Sequence, residues 1–79
     1  MILITGGAGY IGSHVVKQLL KHNEDLIVID NFSTGISATI ETLQKIRSFN
    51  FIELDLKDFE KLSEIFTEYN IDTVMHFAA

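Results

Sequence analysis

Thr5-Gly6-Gly7-Ala8-Gly9-Tyr10-Ile11-Gly12 puts glycine at positions 6, 9 and 12, a G-x-x-G-x-x-G run that begins where the apolar stretch Ile2-Leu3-Ile4 ends. A strand that passes through such a run straight into a helix leaves backbone N–H groups unpaired at the helix start. With the positive end of the helix dipole, these groups can hold a pyrophosphate. Glycine suits the task because a Cβ would keep the phosphate off the backbone. Without a ligand, the same run is a tight turn between strand and helix. Its second part, Gly7-x-Gly9-x-x-Gly12, matches the dinucleotide fingerprint G-x-G-x-x-G. Eighteen positions after Gly12, Asp30 ends a second apolar run. An acid is expected about there, to accept hydrogen bonds from the adenosine ribose hydroxyls. Its charge would repel a 2′-phosphate and no arginine is near it in sequence, so the pattern favours NAD over NADP.

The elements that would position these residues follow from hydrophobic periodicity. Ile2-Leu3-Ile4 and Leu26-Ile27-Val28-Ile29 are short unbroken apolar runs, as expected of strands buried on both faces of a parallel sheet. Between them Ile11, Val15, Val16, Leu19 and Leu20 form a helical stripe, and Asn23 suits a left-handed residue at its end. After the polar turn Asn31-Phe32-Ser33-Thr34-Gly35, the spacing of Ile36, Ile40, Leu43 and Ile46 predicts a second helix. Phe49, Phe51 and Leu54, interleaved with Asn50 and Glu53, predict a less buried third strand closed by Asp55. Asp58 is placed to cap a third helix that carries Phe59, Leu62, Ile65, Phe66 and Tyr69 and ends near Asn70. Asp72 to Phe77 predicts a fourth strand. Strands alternating with helices specify an α/β fold, a Rossmann-type doubly wound parallel sheet whose first four strands take the order 3-2-1-4 with three helices.

Composition bounds the remaining possibilities. Seventy-nine residues form at most one small domain, and a hydrophobic fraction of 47% fits a globular chain. Zero cysteines exclude a disulfide framework and a thiolate metal site; with no signal-peptide pattern at the N-terminus, a cytoplasmic protein is expected. The apolar runs are too short for a membrane span. A net charge of −5, with six scattered Lys and Arg, gives no basic patch for nucleic acid or anionic lipid.

Thr5-Gly-Gly-Ala-Gly-Tyr-Ile-Gly-Ser-His14, then Asp30-Asn31-Phe-Ser-Thr-Gly35, then His76-Phe-Ala-Ala79 resemble the extended short-chain dehydrogenase/reductase superfamily, most closely its UDP-glucose 4-epimerase branch. The resemblance runs the whole length of the chain. Tyr10 is typical of the epimerases, whereas related dehydratases and decarboxylases more often carry Phe there. The resemblance implies that Gly6, Gly9, Tyr10, Ile11 and Gly12 line the pyrophosphate loop and that Asp30 holds the ribose. It implies that Asn31, Ser33, Thr34 and Gly35 form the adenosine edge, and that Asp55 and Leu56 flank the adenine. Phe77, Ala78 and Ala79 would lie near the nicotinamide half. Thr34 departs from several relatives, which have Asn there.

By the same resemblance, the parent enzyme is a homodimer that uses tightly held NAD to oxidise the sugar C4 hydroxyl and then returns the hydride to the opposite face. Its base would be the tyrosine of a Tyr-x-x-x-Lys pair. Neither tyrosine opens that motif here: Tyr10 is followed four on by His14 and Tyr69 by Thr73. The expectation is therefore an N-terminal segment, residues 1–79 of the NAD-binding domain. It would carry no catalytic residue, would be inactive alone, and would be prone to self-association through an open sheet edge. The nucleotide-sugar site would lie in the remainder of the parent.

His14 is expected to be packed or capped, His22 to sit at the surface, and His76 to be a hydrogen-bonded core residue. The three share no metal-ligand spacing. Thr5 and Ser13 are expected to bond to backbone, and Asp55 and Asp58 to end a strand and cap a helix rather than form an acid/base pair. Two other functions fit the same residues: a sister nucleotide-sugar epimerase or dehydratase, and a regulatory module that binds NAD without redox chemistry.

Overall fold

The computed structural model describes residues 1–32 and 37–78. Seven elements alternate along the chain: β1 (Ile2–Thr5), α1 (Tyr10–Lys21), β2 (Leu26–Asp30), α2 (Ser37–Ile46), β3 (Asn50–Glu53), α3 (Phe59–Glu68) and β4 (Thr73–His76). The strands form one parallel sheet in the order β3-β2-β1-β4, as the sequence predicts.

The unbroken apolar runs sit at the centre of the sheet, where both faces are covered. All five residues of β2 and the last three of β1 are buried. Successive side chains of a strand point to opposite faces, and the core divides accordingly. Ile4 and Val28 pack with Val16, Leu20, Ile40 and Leu43 under α1 and α2. On the other face Leu3, Ile27 and Ile29 pack with Leu54 and with Ile65 of α3. The outer strands are less enclosed: no residue of β3 or β4 is fully buried.

Local chemistry fixes the helix ends. Asn23 adopts φ 57° just beyond α1, the left-handed conformation expected for it. The Arg47 guanidinium donates to the carbonyls of Leu20 and Glu24, tying the chain after α2 to the end of α1. Gln44 and the backbone of Phe49 exchange two hydrogen bonds, of 3.0 and 2.9 Å, that set the approach to β3. Asp58 caps α3, its Oδ1 accepting from the Lys61 N–H at 3.3 Å.

Five residues assigned to apolar stripes or to the core are exposed against expectation. Ile11 and Phe59 are 65% and 76% exposed, and Ile46 and Phe66 are 42% and 47% exposed. Ile11 and Phe59 lie in the first turn of their helices, ahead of the residues that reach the sheet, and Ile46 is the last residue of α2. His76 is exposed rather than in the core, because β4 is an edge strand paired only with β1 among the described residues. It is nonetheless hydrogen-bonded: its Nδ1 lies 2.6 Å from the buried Thr5 hydroxyl. The predicted start of the second helix at Ile36 falls outside the described residues.

Candidate functional site

Parallel strands point their carboxyl ends the same way, so the loops after β1, β2, β3 and β4 gather along one edge of the sheet. There they enclose an open cleft of about 270 Å³. Gly6 and Gly9 line it from the first loop, Asp30 and Asn31 from the second, Asp55, Leu56 and Lys57 from the third, and Phe77 and Ala78 from the fourth. Residues far apart in sequence thus share one cavity.

The glycines in the first loop do different work. Gly6 has φ +75°, and a Cβ on it would lie 2.6 Å from the backbone of Phe77 and Ala78. The chain leaving β4 therefore presses directly on the loop. Gly12 is closed in more tightly: a Cβ there would sit 2.2 Å from the Gly6 carbonyl oxygen. Gly7 backs onto the core, where its Cβ would meet Val28 Cγ1 at 2.2 Å. Gly9 differs from all three. Among the described residues its Cβ would meet only the Gly6 oxygen, at the ordinary distance of 3.4 Å, so none of them requires glycine at that position. The space beside Gly9 belongs to the cleft.

Backbone donors converge on the same place. Gly9 is the N-cap residue of α1 and supplies no side-chain cap, and the first turn carries no acidic residue. Ser13 is the first amide of the helix to bond back into the loop, to the Gly9 carbonyl at 2.9 Å. Ahead of it the N–H groups of Tyr10, Ile11 and Gly12 have no partner among the described residues. An uncapped helix start with free donors and no Cβ beside it is fitted to an anion.

Asp30 is 8% exposed and holds two loops at once. Its Oδ2 accepts from the Ala8 N–H at 2.8 Å and its Oδ1 from the Phe32 N–H at 2.7 Å. The first bond locks the glycine loop to the end of β2. The second supports Phe32 at φ 59°, an uncommon conformation for an aromatic residue. Each carboxylate oxygen can accept more than one hydrogen bond, so Asp30 retains acceptor capacity towards the cleft. Its anchoring of Ala8 was not legible in the sequence, because it depends on how close the two strand ends lie. β3 ends at Glu53, two residues short of Asp55, which was expected to close it; Asp55 lies in the loop that follows, where its Oδ1 accepts from the Lys57 N–H at 2.9 Å.

The remaining assigned residues separate by position. Tyr10 is 82% exposed, its ring 4.8 Å from that of His14, and neither Tyr10 nor Ile11 lines the cleft. Gly12 is buried beneath the loop. Ser33, Thr34, Gly35 and Ala79 lie outside the described residues. Lys57, a cleft residue, was missed, because no spacing rule points to the residue that follows Asp55 and Leu56.

Thr5 and Ser13 bond to backbone and His22 sits at the surface, as expected, while His14 is exposed rather than packed. Thr5 Oγ1 accepts from the Phe77 N–H at 3.2 Å, and the Ser13 hydroxyl donates to the Tyr10 carbonyl at 3.0 Å. His14 and His22 each direct Nδ1 at a backbone carbonyl of their own helix, at 2.7 and 2.8 Å. A carbonyl only accepts, so Nδ1 carries the proton in both. Among the described residues no group of three His, Cys, Asp or Glu could hold a metal ion, and no helix is long and apolar enough to cross a membrane.

Comparison with known proteins gives this geometry its context. The family model described as GDP-mannose 4,6 dehydratase matches residues 3–79. A UDP-glucose 4-epimerase of Lacticaseibacillus casei is 44% identical over 78 residues, which are 99% of this chain and 22% of the relative. Among solved structures, the UDP-Glc/GlcNAc 4-epimerase of Campylobacter jejuni superposes with a TM-score of 0.95 at 47% identity, covering 99% of this chain and 24% of that one. The UDP-glucose 4-epimerase of Bifidobacterium longum, crystallised with NAD⁺ and UDP, gives 0.93 at 34% identity, with 99% and 24% covered. The chain thus spans less than a quarter of the length of these relatives. With the family match running almost end to end, the chain belongs to the GDP-mannose 4,6-dehydratase family, within the extended short-chain dehydrogenase/reductase superfamily.

Proposed function

We propose that this chain is the NAD-binding segment of a UDP-glucose 4-epimerase. The observation that carries the reading is the opening beside Gly9, where unpaired helix-start amides meet a glycine that the described residues do not themselves require, with the Asp30 carboxylate on the same cleft. Bound there, NAD would supply reversible hydride acceptance from a sugar carbon.

The chain's own residues do the holding. Gly6 and Gly9 let the pyrophosphate approach the backbone, the amides of Tyr10, Ile11 and Gly12 donate to it, and Asp30 accepts from the ribose hydroxyls. Asn31, with Ser33, Thr34 and Gly35, forms the adenosine edge, while Asp55 and Leu56 flank the base. Phe77, Ala78 and Ala79 border the nicotinamide half. The similar epimerases support this assignment of the substrate as UDP-glucose and UDP-galactose. A sister dehydratase is the second reading, favoured by the description of the matching family.

No tyrosine in the 79 residues has lysine four positions on, so these residues supply cofactor orientation and not proton transfer. The chain by itself should turn over no sugar. Its β4 edge, with Val74 51% exposed, favours self-association; sedimentation as a sharp monomer would oppose that.

Calorimetry against NAD and NADP tests the cofactor assignment. NAD should bind and NADP should bind clearly more weakly, because the Asp30 carboxylate repels a 2′-phosphate; equal affinities would refute the role given to Asp30. Assay of the full-length protein for interconversion of UDP-glucose and UDP-galactose, with N-acetyl sugars alongside, tests the substrate.

A further inference from the structure

Lys57 lies where β3 gives way to the loop before α3, on the wall of the cleft that also carries Asp30 and Asp55. It is the only cationic residue among the described residues that line the cleft, against two carboxylates. The Asp55 side chain accepts the Lys57 N–H and so fixes where the lysine side chain leaves the backbone. The ammonium has no carboxylate within ion-pair distance among the described residues. The cleft carries two carboxylates in a chain of net charge −5, and the field of such acidic groups opposes the approach of any ligand that bears phosphate.

We propose that Lys57 is the electrostatic attractor of the cleft: its ammonium offsets Asp30 and Asp55 and draws in a ligand through its phosphates, so that its contribution grows with the charge of the ligand. This rests on the dinucleotide reading of the cleft and adds to it a residue that acts on charge rather than on the base or the ribose. Acting through space and water, it is a positioning residue of moderate effect. A lysine that merely covered the adenine with its methylene stem would act equally on charged and uncharged ligands.

The test is calorimetry on the wild-type chain, Lys57→Gln and Lys57→Arg, with NAD, ADP and adenosine as probes, at low and at high salt. Lys57→Gln should weaken NAD and ADP by roughly three- to tenfold at low salt. The loss should shrink as salt is raised, adenosine should bind as to wild type, and Lys57→Arg should keep the wild-type affinities. Unchanged NAD and ADP affinity in Lys57→Gln would overturn the proposal, as would an equal loss for adenosine. Failure of the wild-type chain to bind NAD or ADP would instead remove the cofactor reading, and this inference with it.

Discussion

The two faces of the sheet are built to different standards. One is roofed by α1 and α2, whose Val16, Leu20, Ile40 and Leu43 close over Ile4 and Val28. Among the described residues α3 is the helix over the other face; it contributes a single fully buried residue, Ile65, and leaves Phe66 47% exposed. The glycine loop is fastened to the first face: Gly7 lies against Val28, and Ala8 is both part of that core and the donor to Asp30. A loop that must hold backbone donors in place is best set on the better-packed side, since close-packed interiors deform least. The α3 face carries no part of that loop.

The largest effects should come from the loop's own contacts. Gly12→Ala drives a Cβ into the Gly6 carbonyl and should destabilise the chain by about 3 kcal/mol or more, read as loss of the folded baseline in urea. Gly9→Ala meets no such contact; it should keep the wild-type melting curve and lose NAD affinity. A matching loss of stability in both variants would erase the distinction between structural and ligand-facing glycines.

Next come paired truncations of the two roofs. Leu20→Ala, at a residue 2% exposed, should cost about 2–5 kcal/mol. Leu62→Ala, at a half-buried position on α3, should cost about 1–2 kcal/mol because water already reaches the site. Equal costs in denaturant melts would mean that the two faces are equally tight.

Smaller again is Asp58→Ala, which removes the cap of α3 and should cost about 1 kcal/mol, with the loss of amide protection confined to the first turn of that helix. The smallest effect is expected at Asp72. Its carboxyl is held below its ordinary pKa of 3.8, first by the Thr73 hydroxyl and then by the N-terminal ammonium, 3.5 Å away. A depressed carboxyl pKa adds stability above the ordinary value, and that stability is lost as pH falls through the folded-state value. Because the site is fully exposed, Asp72→Asn should lower the Tm only slightly at neutral pH, and the difference should vanish in strong acid. A gap that persisted there would show that the side chain acts by something other than its charge.

How much could be read in advance follows from the range of each interaction. Period and run length are local, so Ile2 to Ile4, Leu26 to Ile29 and the helical stripes announced their elements, and Asn23 and Asp58 announced two of the ends. Exposure at Ile11, Phe59 and His76 escaped that reading because it depends on where a helix begins to overlap the sheet and on which strand lies at the edge.

The sequence by itself determined the parallel α/β order, the glycine loop and an acid after β2, because strand and helix periodicity and backbone sterics are written in neighbouring residues. Only the tertiary structure decided which glycines face the cleft, that Asp30 anchors Ala8, and that Lys57 shares a wall with both carboxylates. Those facts depend on distances between strand ends that are remote along the chain, and packing alone sets such distances.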